Sequence, residues 1–393
     1  MEEQDGLTEK KAEKKRRLRL RTKIELAVVL TLVLTNGLWC LMLGRGGVAM
    51  VQTYLLAKFA FVDTQADLNK AVDQGLNAFV SGLGDRWSYY LDSTGYQATT
   101  ERRANSYVGV GVTVDSASRE EGLLVLSVTR GGPADKAGVA VGDVIIAVDG
   151  ESIAGDARAT AVDKVTGEAG TTVSLTLLGM DGSTREVTCT RASLHNASAQ
   201  GTMLEGNIGW VRLNNFYSGS SDSFRQEVDT LTAQGARGLI VDVRGDPGGY
   251  VSELQKILDY LLPEGPVFTQ KPRWGFRSVY RSDADCVDLP MAVLVNRDSY
   301  SAAELLAAQI RESTGAPIVG EVTSGKGYSQ VTFPLLNGGG VGLSTAAYCT
   351  GSGHSLIGEG IIPDVELSLP EGAAIGGGDD IQLQAALELL LEK

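Results

Sequence analysis

The chain has 393 residues, 43% hydrophobic and 21% charged, enough for two or three domains with ordinary cores. A net charge of −13 excludes a nucleic-acid binder of the electrostatic kind. Two histidines, and four cysteines without a C-x-x-C pair, argue against a metal centre, and no cofactor is expected.

The charge is uneven. Residues 1–23 hold nine basic and five acidic side chains, so this tail is +4 and the rest of the chain −17. Leu26 to Gly44 follows without a charge, close to the ~20 residues that span a bilayer. Residues 24–44 are therefore expected to be an uncleaved transmembrane anchor, with residues 1–23 as a cytoplasmic tail. The membrane is thus an expected partner, and the rest of the chain is expected outside the cytoplasm at the cell membrane. In that compartment Cys286 and Cys349 could pair, and free buried thiols fit equally well.

Residues 45–106 are read as a linker and a helical segment. Val62, Ala66, Leu68, Val72, Leu76, Phe79 and Val80 fall near helical spacing over 63–105, and Gly82 and Gly84 interrupt it. Residues 107–190 read as a compact β-rich unit, with strands at 109–114, 122–128, 143–148, 171–178 and 184–190 and a helix near 156–165. From 191 to 393 buried strands (Ile208–Leu213, Gly238–Val243, Met291–Val295, Pro317–Gly320) alternate with helices at 219–234, 250–262 and 301–313. That alternation predicts an α/β domain. Val341–Tyr348 adds a strand and 379–392 a closing helix. The predicted fold class is an α/β core with an inserted β-rich domain, a helical N-terminal segment and one N-terminal transmembrane helix.

Three segments carry chemistry. Asp298 to Glu304 joins a buried strand to an apolar helix, the place where open α/β sheets bind ligands. Ser301-x-x-Glu304 fits a capping box, and equally a nucleophile beside amides that hold an oxyanion. Thr323 to Gln330 contains Gly320-x-x-x-x-Gly325-Lys326, but Gly327 replaces the Ser or Thr of a phosphate loop and a strand-like run follows where a helix should open. The alternative is a lysine held in a tight glycine turn, with Gln330 on the same face of an extended run to aim its amine. Asp242 to Gly249 leaves a buried strand with three glycines, so its backbone can approach a ligand.

Together these segments resemble the C-terminal processing peptidases, also called tail-specific proteases. The resemblance covers roughly residues 63–392, with the motifs in the right order. It implies that Ser301 is the nucleophile, Lys326 the base and Gln330 its helper, the 25-residue separation of Ser301 and Lys326 matching the family. Arg244–Gly249 corresponds to the family's glycine loop. The runs Gly84–Leu91, Gly358–Asp364 and Asp380–Leu387 also look like the family. Gly248 and Ala302 are expected to supply the oxyanion hole. Here Tyr300 and Ala303 replace Ala and Ser, Asp246 replaces Asn, and Ser324 replaces Phe.

Residues 107–190 resemble a PDZ domain, on Tyr107–Val112, Gly131–Val139 and Val141–Gly150. Tyr107, Val108, Gly109, Val110 and Gly111 would then bind the substrate's terminal carboxylate, with the next strand edge pairing with the peptide. Thr166 stands where family members often have Arg, which puts in doubt any contact that Arg makes to the active site.

The expected activity is serine endopeptidase cleavage near or from protein C-termini. Lysine titrates near ~10.4, so Lys326 must be depressed by burial to act as base. The expected partners are proteins or peptides with free C-termini. A second copy of the chain, met through the helical N-terminal segment and the C-terminal part, is a further candidate. A Ser-His-Asp hydrolase lacks its elbow motif here. A membrane-tethered PDZ adaptor with a degenerate peptidase fold is the non-enzyme alternative.

Overall fold

The computed structural model describes Gly37 and residues 41–115, 120–129 and 131–392. The chain divides into two units, Met1–Ala78 and Phe79–Lys393. In the first, residues 41–60 are helical and the helix Leu68–Ser81 begins. Among the described residues no helix is long and apolar enough to cross a membrane. The expected span Leu26–Gly44 lies for the most part outside the described residues.

The second unit is built on a six-stranded sheet. Its order is Ala199–Met203, Ile208–Leu213, Gly238–Asp242, Met291–Val295, Ile318–Gly320 and Val365–Glu366, antiparallel at the first pair and parallel after it. The central strands Gly238–Asp242 and Met291–Val295 are buried at every residue, as a sheet covered on both faces requires. Side-chain alternation sorts them. Leu239, Val241, Val293 and Val295 pack with Phe224, Leu258 and Leu306 from three helices (Ser220–Ala233, Val251–Leu261, Ala302–Thr314). Ile240, Ala292 and Leu294 pack on the other side with Leu383, Ala386 and Leu390 of the helix Ile381–Leu391. Each such fully buried Leu, Ile, Val or Phe contributes about 1.5–3 kcal/mol.

A second, antiparallel sheet joins Tyr89–Leu91, Gly340–Thr350, Gly265–Pro272 and Ser278–Ser282, with Tyr328–Pro334 also on Gly340–Thr350. This corrects the helical reading of 63–105. The helix stops at Ser81, and Asp85 accepts from the Trp87 amide and the Ser88 hydroxyl to make a turn. Tyr89–Leu91 then pairs with Gly340–Gly342, where a side chain at Gly342 would run into the Tyr89 ring. Asp92 caps the next helix, Ser93–Ala104, through the Gly95 amide at 2.7 Å.

The inserted domain has its own sheet, in the order Val112–Asp115, Leu123–Val128, Val144–Val148, Thr172–Leu178, Thr184–Thr190, and its own core around Leu123, Ile145, Leu175 and Leu177. The single strand expected over 109–114 is two. Gly111, at φ 84°, turns the chain between Ser106–Gly109 and Val112–Asp115. Ser106–Gly109 pairs with Ala192–His195, an antiparallel ribbon that carries the chain into and out of the domain.

Candidate active site

Ser301 sits where the strand Met291–Val295 gives way to the helix Ala302–Thr314. Its backbone is at φ 63°, ψ −118°, a conformation that L-residues rarely adopt and that costs on the order of 1–3 kcal/mol. Three contacts impose it. The Ser299 hydroxyl donates to the Val243 carbonyl at 2.7 Å, the Tyr300 amide donates to the Asp246 carbonyl at 3.2 Å, and the Ser301 amide donates to Glu304 Oε2 at 2.9 Å. Ser299 is thus a strut between two strand ends.

Lys326 follows Gly325, whose φ of 75° turns the chain. Its Nζ donates to Gln330 Oε1 at 2.9 Å. A register shift between Ser329 and Gln330 aims Gln330 at it, and Gln330 Nε2 donates to the Trp87 carbonyl. The ammonium lies 4.9 Å from the Trp87 ring centre and 5.4 Å from that of Tyr300. Burial, and then the positive charge of Arg103, lower its pKa to about 8, while Glu304 and Asp85 pull it back up. The two ring faces also favour the charged form. Tyr348 donates its hydroxyl to the Lys326 carbonyl. Burial, and then the Glu304 charge, hold that phenol well above its ordinary value, with the Ser301 side chain acting the other way.

The glycine loop is anchored from behind. Arg244 is fully buried, with its guanidinium on Asp242 at 2.6 Å and on Asp380 at 2.8 Å. This ties the loop to the start of the helix Ile381–Leu391 and explains why the runs at 242 and 380 belong together. Asp246 is also fully buried. Its Oδ1 accepts the Gly248 amide at 2.7 Å, its Oδ2 has no partner, and burial raises its pKa well above 3.8. Gly248, at φ 77°, packs so close that a side chain there would meet the Ala302 nitrogen at 2.9 Å. The Ala302 amide opens the helix and has no acceptor among the described residues. Of the two expected oxyanion donors, one is therefore open and the other is held by Asp246.

Ser301, Ala302, Gly248, Lys326 and Gln330 all line one cavity of about 720 Å³. Ser301 and Lys326 share no hydrogen bond to each other among the described residues. Neither His195 nor His354 lines the cavity. A serine hydroxyl, a depressed amine and an open helix amide are the groups that acyl transfer uses. Sequence reasoning noted Glu304 only as a cap. It missed Tyr348, Trp87 and Arg103 as site residues, although Trp87 lay in a motif it quoted. Among the described residues no group of His, Cys, Asp or Glu is arranged to hold a metal ion, and Cys189, Cys286 and Cys349 are free thiols.

The expected peptide-docking residues lie apart from this cavity. Tyr107, Val108 and Gly109 belong to the ribbon. The Val110 carbonyl accepts the Ala134 amide and the Gly111 carbonyl the Thr129 amide. Val112–Asp115, just beyond, is an edge strand of the inserted sheet. Thr166 ends the helix Arg158–Val165, and its hydroxyl donates to Asp163 of that same helix.

Residues 207–367 match peptidase family S41, and residues 97–178 match the PDZ domain. The carboxy-terminal processing protease CtpA of Bacillus subtilis (strain 168) is 30% identical over 79% of this chain and 67% of its own length. The chloroplastic C-terminal processing peptidase of Tetradesmus obliquus is 31% identical over 82% of this chain and 72% of its own. The carboxy-terminal-processing protease of Bartonella bacilliformis is 32% identical over 78% and 72%. On this likeness the chain belongs to the S41 carboxy-terminal processing proteases and is a serine-type peptidase carrying a PDZ domain.

Proposed function

We propose that the chain is an endopeptidase acting through Ser301 and Lys326. The observation that supports this best is Lys326 itself. A lysine brought down to about 8 and held by Gln330 in the cavity that Ser301 lines has the proton affinity of a general base. Neutral Lys326 takes the Ser301 proton as the hydroxyl attacks the scissile carbonyl. It then gives that proton to the leaving amine. Water hydrolyses the ester with Lys326 again as base. The Ala302 amide holds the oxyanion, joined by the Gly248 amide once it turns from Asp246. Ser301→Ala and Lys326→Ala should each abolish peptide cleavage with the fold intact, and Ser299→Ala should be much milder. Substantial cleavage by Lys326→Ala would sink the dyad.

The PDZ domain, in this reading, docks substrate C-termini at Tyr107–Gly111 and along the edge strand that begins at Val112. Residues 24–44 anchor the protein with its catalytic unit outside the cytoplasm. The basic residues before that run and their scarcity after it support this. Protease added to wall-stripped cells should digest the large unit, and full protection there would reverse the topology.

A further inference from the structure

The active-site cavity carries an electrostatic signature opposite to that of the chain. The chain is −13 overall. The charged residues lining the cavity are Arg86, Arg102, Arg103 and Lys326, with no Asp or Glu among them. The carboxylates behind that wall are committed or masked. Glu304 accepts from Ser301, Thr323, Gly325 and Lys326. Asp85 accepts from Trp87 and Ser88, and Asp246 is sealed from solvent.

Two of the four cations have other duties. Lys326 is the proposed base. Arg86 donates to the Ser324 carbonyl at 2.6 Å and lies 4.4 Å from the centre of the Trp87 ring. Arg102 and Arg103 do not share that commitment. They stand in the last turn of the helix Ser93–Ala104, a common place for basic residues beside the helix dipole. Among the described residues neither pairs with a carboxylate. Arg103 gives one 3.3 Å hydrogen bond to the Tyr89 hydroxyl, and Arg102 gives none from its side chain. Their charges are felt next to the nucleophile. Burial raises the Tyr300 phenol, and Arg102 and Arg103 pull it back. Arg102 is exposed and Arg103 half-buried on the cavity wall, and guanidinium donors left open there suit a planar anion, of which a peptide substrate offers one kind, the carboxylate.

We propose that Arg102 and Arg103 hold a carboxylate of the bound substrate, so that the peptidase selects peptides presenting a carboxylate at its catalytic cavity independently of the PDZ domain. This rests on the cavity being the active site. The carboxylate is either an acidic side chain near the scissile bond or the chain terminus itself.

Binding and cleavage separate the two claims. Isothermal titration of the full chain carrying Ser301→Ala would use peptides of one length and sequence. One pair is amidated and carries Asp or Asn. A second pair has neutral side chains and ends in a free acid or an amide. The acidic member of at least one pair should bind about tenfold tighter at low salt, and the gap should narrow near 0.5 M salt. It should close in Arg102→Gln/Arg103→Gln and persist in Arg102→Lys/Arg103→Lys. Preference in the first pair assigns the side chain, and preference in the second assigns the terminus. A terminus preference that survives the Gln variant belongs to the PDZ domain; such survival with equal affinities in the first pair, or equal affinities in both pairs, overturns the proposal. Cleavage by the wild-type chain, lost in Ser301→Ala, tests the active-site reading separately, whatever the affinities.

Discussion

The backbone amides of Ser301 and Lys326 end on the same oxygen, Oε2 of Glu304, each at 2.9 Å. The other oxygen takes the Gly325 amide at 2.7 Å and the Thr323 hydroxyl at 2.5 Å. One fully buried carboxylate therefore fixes the segments of Ser301 and Lys326 relative to each other. Glu304→Gln turns an NH₂ toward two of these donors and leaves at least one backbone amide unsatisfied, at about 1–3 kcal/mol. Turnover should fall by roughly 10²-fold, since small displacements of catalytic groups cost about that much. The melting temperature should drop by several degrees. Near wild-type turnover in a folded Glu304→Gln protein would count against the clasp.

Strain at Ser301 predicts an inactive variant more stable than its parent. Ser301 is held at φ 63°, where only glycine is at ease. Ser301→Gly removes the clash and should stabilise by about 1 kcal/mol. Ser301→Ala keeps the clash and gains nothing. Thermal melts of the two inactive proteins should rank glycine above alanine. The reverse order would mean that the backbone is relaxed at this position.

The pH profile should follow Lys326. With Lys326 as the proposed base its neutral form acts, so kcat/KM should rise with pH on a limb centred near 8. Arg103 is the second cause of the depression, so Arg103→Gln should move that limb upward and lower activity most at pH 7. A limb unmoved by Arg103→Gln would assign it to another group. The same shift has a stability sign. Between about 8 and ~10.4 the unfolded chain binds a proton that the folded chain does not, so this group's contribution to stability rises with pH across that window.

Asp246 should act in the opposite sense. Burial holds its pKa well above 3.8, so the folded chain keeps a proton that the unfolded chain sheds as pH rises past about 4. Stability from this residue therefore falls with increasing pH. Asn in its place can still accept the Gly248 amide and cannot ionise. The melting temperature of Asp246→Asn relative to wild type should climb between pH 4 and pH 8. A constant difference over that range would show Asp246 to be ionised in the fold.

If the PDZ domain docks chain ends, amidation should slow cleavage of a long substrate and hardly affect a short one. Thr166 supplies no long side chain toward the peptidase core, so any effect of docking on the site must travel by another route. The ribbon offers one. Asn105 at its start donates to the Ser218 carbonyl at 3.3 Å, and nearby Phe216 donates to the Gly248 carbonyl at 3.1 Å. Equal turnover of amidated and free-acid long substrates would remove the docking claim.

Buried strands such as Gly238–Asp242 and Met291–Val295 were legible in the sequence because the apolar runs Leu239–Val241 and Met291–Val295 leave few alternatives. The PDZ strand Thr172–Leu178 was legible because its polar and apolar residues alternate. The catalytic candidates Ser301, Lys326 and Gln330 were legible from ordered motifs, and the structure gathers them into one cavity. Strands with weak local signal were missed. Gly265–Pro272 carries two prolines, and Tyr89–Leu91 is three residues long, so each owes its pairing to Gly340–Thr350. The environment of each site residue was likewise out of reach. Side-chain identity says that a lysine is present. That it is buried, hydrogen-bonded to Gln330 and depressed to about 8 depends on the fold packed around it and on the charge of Arg103, 223 positions away in the sequence. Desolvation and Coulomb forces act through space, so only the tertiary structure brings those groups close enough for them to matter.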